Sequence, residues 1–238
     1  MPIIDAYGLV GAWPRAEVDL SVEALAASMQ SRGVGHCLVT HTAAIFYENT
    51  EGNRQAIQLA AQHGPLSAVA VINPLDYPDC LTEVKRCLDQ GVKVFRLCPR
   101  EHGYPLSGAV GPLRAVLEAL SGAKLIVIDA AELPAPVITS DVPALLKVPT
   151  AISVHTGGLG TLLHAGTISP HVWAETSRLE AGGAIETAVK VLGTQRVVFG
   201  SAQPLRSVGS AVMSVQFAEI TEADRQAVFE GNIQRALG

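Results

Sequence analysis

Eight short apolar runs, each followed by a stretch of helical character, recur along this chain and restrict it to very few folds. The runs cover residues 3–6, 36–39, 68–72, 92–97, 125–128, 151–154, 171–174 and 196–199. They are rich in β-branched residues and almost free of polar interruption. That is the pattern of parallel strands covered on both faces. Between them lie helix signals. Ser21 is placed to cap a helix whose Val22, Leu25 and Met29 share one face. Thr50 and Pro78 start the next two, and Leu81, Val84 and Leu88 stripe the second of these. Gly33 and Gly91 fall just past helix ends, where a left-handed residue is needed. Thr221-Glu222-Ala223-Asp224 has the form of a capping box for the final helix.

Strand starts recur roughly every 28 residues, close to one β–α unit. The chain has 238 residues, and one barrel of eight such units takes about 250. The expected class is therefore α/β: a (β/α)8 TIM barrel of parallel strands, one domain over residues 1–238. The rival is an open doubly wound sheet. It needs a glycine-rich GxGxxG turn after its first strand, and Tyr7-Gly8-Leu9-Val10-Gly11 is not one. No linker divides the chain. Leu133-Pro134-Ala135-Pro136 reads as a loop after the fifth strand. Gly157, Gly158, Gly160 and Gly166 read as a long flexible loop after the sixth.

Composition narrows the partners. With a net charge of −5 and no basic patch, nucleic acid is not an expected ligand. The longest apolar runs are strand length, far short of the roughly 20 residues that span a membrane. Residues 1–5 have neither the basic region nor the apolar region of a signal peptide. Cys37, Cys80, Cys87 and Cys98 show no CxxC pairing and are expected as reduced thiols, so a cytoplasmic location is expected. Only 16% of residues are charged against 48% hydrophobic. Much of the chain must therefore be buried in a core or an interface, and a homo-oligomer is expected.

In a barrel of this kind the site lies at the C-terminal ends of the strands. Polar residues stand where each apolar run stops: Asp5 and Tyr7, Thr40 and His41, Asn73, Arg96 and Cys98, Asp129, His155, Glu175 and Ser177, then Ser201-Ala202-Gln203. Asp129 and His155 stand out, because each directly ends an apolar strand. Adjacent strands lie about 4.8 Å apart, so the two side chains are within reach of each other. An Asp–His pair orients an imidazole for acid–base work. Val92, Val94, Arg96 and Cys98 alternate onto one face of strand four. If that face points inward, Arg96 is an anion clamp at the mouth; otherwise it sits in a structural ion pair.

Several of these segments resemble the amidohydrolase superfamily, in particular the amidohydrolase-related branch that includes lactonases and metal-dependent decarboxylases. Ile4-Asp5-Ala6-Tyr7-Gly8-Leu9-Val10-Gly11 resembles its opening Ile-Asp-Ala-His-x-His-x-Gly. Lys93-Val94-Phe95-Arg96-Leu97-Cys98-Pro99 is similar to its fourth strand, and Val154-His155-Thr156-Gly157-Gly158 to its sixth. Residues 196–204 resemble its Arg-Val-x-Phe-Gly-Ser-Asp-x-Pro eighth strand, and residues 231–237 its ending. The resemblance places the two metal-binding histidines of strand one on Tyr7 and Leu9. It places the strand-five histidine on Asp129 and the strand-eight aspartate on Ala202; only the strand-six histidine survives, as His155. A hydrolytic metal site needs about three protein ligands and an open position, so no metal and no other cofactor is expected.

The function this implies is that of an amidohydrolase-like protein without a metal-bound water: a hydrolase, lactonase or decarboxylase acting on a small carboxylate or carbonyl compound. Asp129, His155 and Tyr7 are the expected catalytic residues, and Arg96, His41, Asn73 and Ser201 the expected substrate-binding residues. Two alternatives stand beside it. One is a non-catalytic barrel that binds a ligand or partners an active homologue. The other is a metal hydrolase with a non-standard site drawn from Asp5, His41, Asp129 and His155.

Overall fold

Each apolar run does become a strand, and all seven consecutive pairs are parallel. The computed structural model describes residues 2–130 and 141–238. The strands are β1 Ile3–Val10, β2 Val34–His41, β3 Leu66–Val71, β4 Val94–Leu97, β5 Leu125–Asp129, β6 Thr150–Ser153, β7 Val172–Glu175 and β8 Val197–Val198. They lie side by side in sequence order in one eight-stranded sheet. The ring closes where Ala6 N–H donates to the Phe199 carbonyl and Leu9 N–H to the Gln203 carbonyl, both at 2.9 Å. An open doubly wound sheet has no such first-to-last pairing, so the fold is the (β/α)8 barrel.

Among the described residues a main helix follows each strand: α1 Val22–Ser31, α2 Asn49–Gln62, α3 Asp79–Asp89, α4 Gly111–Ala119, α5 Asp141–Leu145, α6 Leu159–Ile168, α7 Ala184–Leu192 and α8 Val208–Gln216. Among the described residues none is long and apolar enough to cross a membrane. Ser21 caps α1, its hydroxyl accepting from Ala24 N–H, and Thr221 and Asp224 form the expected capping box. Gly33 and Gly91 hold positive φ as expected. The start of α2 lies one residue before Thr50. Glu48 is its cap, with a carboxylate that accepts from the Thr50 and Glu51 amides. Such an acceptor suits the positive end of a helix as well as a threonine hydroxyl does.

One expectation is overturned. The glycines after the sixth strand do not mark a long loop; Gly158 sits at the cap position of α6, and Gly160 and Gly166 lie inside it. Gly166 is there because α6 and α7 touch. A β-carbon at this position would stand 2.2 Å from Leu192 Cδ2. The glycine therefore reports close helix packing and not chain freedom. The Leu133–Pro136 stretch lies outside the described residues.

The two faces of the sheet bury different clusters. Leu38, Val69, Val94, Leu125, Val127, Ala151, Trp173 and Val198 fill the barrel interior. Their alternate neighbours, among them Val39, Ala70, Phe95, Leu97, Ile126, Ile152 and Ala174, pack outward under the helices. The C-terminal helix α9, Asn232–Leu237, plugs one end by sending Ile233 into the interior cluster. Asn232 anchors it by donating to the Thr194 and Val197 carbonyls at 2.7 Å each.

A second asparagine mends a gap in the sheet. The β2–β3 register runs only from Cys37–Leu66 to Val39–Ala68, so Val71 lies beyond the paired stretch. Asn53 of α2, fully buried, accepts from Val71 N–H at 2.7 Å and donates to its carbonyl at 2.9 Å and to Glu83 at 2.8 Å. Its side-chain amide satisfies the strand's backbone where no neighbour does. Asn53→Ala is expected to lower stability by about 2–3 kcal/mol through the stranded backbone groups, read as a fall in the urea midpoint; an unchanged midpoint would contradict this role.

Candidate active site

The chemistry of the mouth begins with an irregularity in β1. Between the pairs Asp5–Cys37 and Gly8–Val39, β1 advances three residues while β2 advances two. The extra residue is a bulge, and it changes which side chains face inward. Ile3 packs in the outer cluster, yet Tyr7 and Leu9, an even number of residues further on, pack at the barrel mouth. Strict alternation would have kept all three on one face.

Asp5 holds this bulge in place. Its carboxylate is fully buried and accepts from Tyr7 N–H at 2.9 Å, Ser201 N–H at 3.0 Å, Ser201 Oγ at 2.5 Å and Gln203 Nε2 at 2.7 Å. Burial outweighs these four donors and pushes its carboxyl up to about 6. Ser201, an expected substrate-binding residue, is thus engaged with Asp5 and also accepts from Gln203 N–H at 3.1 Å.

Tyr7, so positioned, reaches across the barrel and donates its phenol hydrogen to Asp129 Oδ2 at 2.5 Å. Burial, then the Asp129 charge, push the phenol well above its ordinary value, with Arg96 opposing them. It stays a proton donor at neutral pH. Arg96 lies in the barrel interior, its guanidinium carbon 3.7 Å from the Tyr7 ring centroid. That stacking is worth about 2 kcal/mol when water is excluded. Arg96 is fully buried, and none of its three guanidinium nitrogens has a hydrogen-bond partner. The sequence left it either clamp or structural ion pair; no ion-pair geometry involving it is present among the described residues. Of the groups that act on it at longer range, Asp129 and Glu175 are the carboxyls.

His155 stands exposed at the rim. Burial of its ring atoms, Arg178 and Arg206 hold its imidazole below the usual value, while Asp129 pulls weakly the other way. No hydrogen bond joins it to Asp129 among the described residues; Asp129 Oδ2 accepts from Tyr7 instead. The imidazole is neutral at neutral pH and free to accept a proton.

The remaining two expected residues point elsewhere. His41 lines a side cleft of about 320 Å³ with Gln55, Gln58 and Gln62, and its Nδ1 accepts from Ala43 N–H at 3.3 Å. Asn73 caps a helical turn, accepting from Leu75 N–H and donating to Asp76, both at 3.1 Å. The structure thus gathers Tyr7, Arg96 and Asp129, keeps His155 at the edge, and separates His41 and Asn73 from them.

A metal does not fit this site. Leu9 offers only hydrocarbon, the Tyr7 hydroxyl is spent on Asp129, and a fixed guanidinium charge occupies the interior beside them. Among the described residues no three His, Cys, Asp or Glu side chains gather to hold a cation. The alternative set does not assemble either: Asp5 is saturated by its donors and His41 lies in another cleft. Ala202, where the strand-eight aspartate would stand, is buried in the left-handed region at φ 58. For a residue with a β-carbon this costs about 1–2 kcal/mol, and here the strained turn presents only a methyl group.

Glu175, not among the expected site residues, ends the run 171–174 just as Asp129 ends its own. It is fully buried, and its carboxylate accepts from Ser177 N–H and Oγ, each at 2.6 Å. Burial, with Asp5 contributing, pushes it up to about 7 against an ordinary 4.5. Between about pH 4.5 and 7 the folded protein holds a proton that the unfolded chain has released, so this group's contribution to stability is lost as pH rises through 7. The melting temperature of Glu175→Gln relative to wild type is expected to rise from about pH 5 to about pH 8. A difference independent of pH would contradict it.

Comparison with known proteins agrees with this architecture. The structure superposes on 5-carboxyvanillate decarboxylase from Sphingomonas paucimobilis with a TM-score of 0.77 at 16% identity, covering 99% of this chain and 98% of that one. 2,6-Dihydroxybenzoate decarboxylase from Rhizobium gives 0.78 at 14%, covering 99% and 98%. A protein assigned as a 2-pyrone-4,6-dicarboxylic acid hydrolase from Pseudomonas putida gives 0.70 at 18%, covering 99% and 97%. No curated protein is matched by the sequence. The pattern of the amidohydrolase family matches residues 5–238, nearly the whole chain, and the protein belongs to that family.

Proposed function

We propose that this barrel acts on a small carboxylate or carbonyl compound, as a decarboxylase or a lactone- or ester-opening hydrolase, through side-chain acid–base chemistry. One observation carries the reading: a fully buried Arg96 guanidinium with three unpartnered nitrogens, stacked on a phenol that is hydrogen-bonded to a carboxylate. A buried cation without hydrogen-bond partners is costly to keep for structure alone. It suits a substrate carboxylate or a developing oxyanion, which guanidinium grips in bidentate fashion. The fixed charge stands in this reading in place of a metal; one decarboxylase of similar fold is described with bound manganese.

The acid–base groups have separate roles. Tyr7 donates its phenol hydrogen to Asp129, and the pair delivers a proton toward a carbon or a leaving oxygen and recovers it. His155, neutral at the rim, takes a proton from water or from a substrate hydroxyl. Decarboxylation and lactone opening make the same two demands: a gripped oxyanion and a proton delivered at the right atom. The comparisons support the substrate class, since the similar folds include decarboxylases of aromatic acids and a protein assigned to a pyrone dicarboxylate.

One observation favours a second reading, a non-catalytic barrel. Tyr7, Leu9, Val71, Cys98 and Ala202 pack into one cluster, with Trp13, Phe46 and Leu205 against it, which closes much of the mouth with apolar side chains. Turnover of hydroxybenzoates and pyrone carboxylates separates the two. Chelator-treated protein is expected to remain active. Tyr7→Phe and Asp129→Asn are expected to lower kcat by about 10²–10⁴, and Arg96→Met to lower kcat/KM by roughly 10². A stoichiometric divalent metal whose removal abolishes turnover would overturn the proposal.

A further inference from the structure

We propose that the side cleft holding His41, between α1 and α2, binds a small neutral ligand that carries a carbonyl and an N–H side by side, as a lactam does. The inference goes beyond the acid–base reading of the mouth and does not depend on it.

The cleft forms where β1 and β2 run out beside two helices. It encloses about 320 Å³, at the small end of the range for ligand pockets. Val10, Leu20, Val22 and Leu59 give it apolar wall, and His41, Gln55, Gln58 and Gln62 supply its polar groups. The glutamines fall at i, i+3 and i+7, on one face of α2. No Asp, Glu, Lys or Arg is among the described residues that line it. An ion would enter without a counter-charge, so the fitting occupant is neutral.

The polar groups have their hydrogen-bonding sense set by neighbours. The Ala43 amide donates to His41 Nδ1 at 3.3 Å. Burial holds the imidazole below its ordinary value, with Glu51 opposing, so the ring is neutral at neutral pH. Its one nitrogen-bound proton is therefore on Nε2. Gln55 donates from Nε2 to Glu51 Oε1 at 2.7 Å, which leaves its Oε1 to accept. Gln58 accepts on Oε1 from Arg54 Nη1 at 3.3 Å, which leaves its Nε2 to donate. These senses follow from charge, since a carboxylate takes only a donor and a guanidinium only an acceptor. The cleft thus offers two donors, His41 and Gln58, and one acceptor, Gln55. A carbonyl flanked by its own N–H answers both, and the ring carbons of a cyclic amide answer the apolar wall.

A structural role accounts for only half of His41. An asparagine or aspartate would accept from the amide two residues on equally well; the ring adds its Nε2–H. That edge of the ring is also kept bare. A β-carbon on Gly11 would stand 3.1 Å from His41 Cε1 and 3.4 Å from Nε2, and glycine leaves both uncovered.

Nitrogen-15 spectra of the full chain with labelled histidine test this, with δ-valerolactam as the probe. Before any addition, His41 is expected to show a protonated Nε2 and a bare Nδ1, which needs no variant to fold. On titration with δ-valerolactam its Nε2 signal is expected to move while those of the other histidines stay in place. Cyclohexanone, which lacks the N–H, is expected to bind roughly fivefold to tenfold more weakly, and cyclohexanecarboxylate to leave the signal unmoved. Gln58 is exposed on α2, and Gln58→Met is expected to weaken lactam binding by a similar factor. A proton on Nδ1, a His41 signal unmoved by the lactam, equal binding of the ketone or the carboxylate, or undiminished binding in Gln58→Met would overturn the proposal.

Discussion

Closure of the barrel and the aim of its reactive phenol depend on one carboxyl group. Asp5 joins β1 to the segment after β8 by accepting two hydrogen bonds from Ser201 and one from Gln203, and it holds the Tyr7 amide at the bulge. A β8 of only two residues offers little ladder of its own. Side-chain hydrogen bonds therefore do what a longer strand would do elsewhere. Because the same carboxyl fixes the bulge, the geometry that shuts the barrel is also the geometry that carries Tyr7 to Asp129.

With Tyr7 inward, the rest of the mouth is arranged around a fixed positive charge. Arg96 stacks on the ring and lies within the electrostatic reach of Asp129 and Glu175. A cation bound as a metal would be repelled by this guanidinium and would find Leu9 and Ala202 where ligands are needed. The match to the family spans residues 5–238, and the centre of this barrel holds the Arg96 side chain. Behind it lie two buried carboxyls, Asp5 and Glu175, both pushed up by burial.

Much of the fold was legible because its signals are local. A parallel strand buried on both faces must be apolar throughout, so the eight runs show themselves, and Ser21 and Thr221 cap where a hydroxyl before a helix should. The glycines of α6 misled for a physical reason: Gly166 is small to admit Leu192, a partner distant in sequence. Tyr7, Arg96 and Asp129 were legible as strand-end residues, and the structure brings them together. Asp129 and His155 were read as a pair from strand adjacency alone, which cannot show that a tyrosine four strands away takes the carboxylate oxygen. His41 turns into a side cleft for a reason equally invisible locally, its imidazole being tied to the Ala43 amide.

The sequence by itself determined the barrel and the family, since periodicity and residue identity are carried along the chain. Tertiary structure alone decided the facing of each side chain and the company it keeps. A one-residue bulge reverses every inward position beyond it, and a buried carboxyl takes its proton affinity from its neighbours. Whether Arg96 clamps or braces, and whether Glu175 is charged, are properties of that enclosure and not of the residues in order.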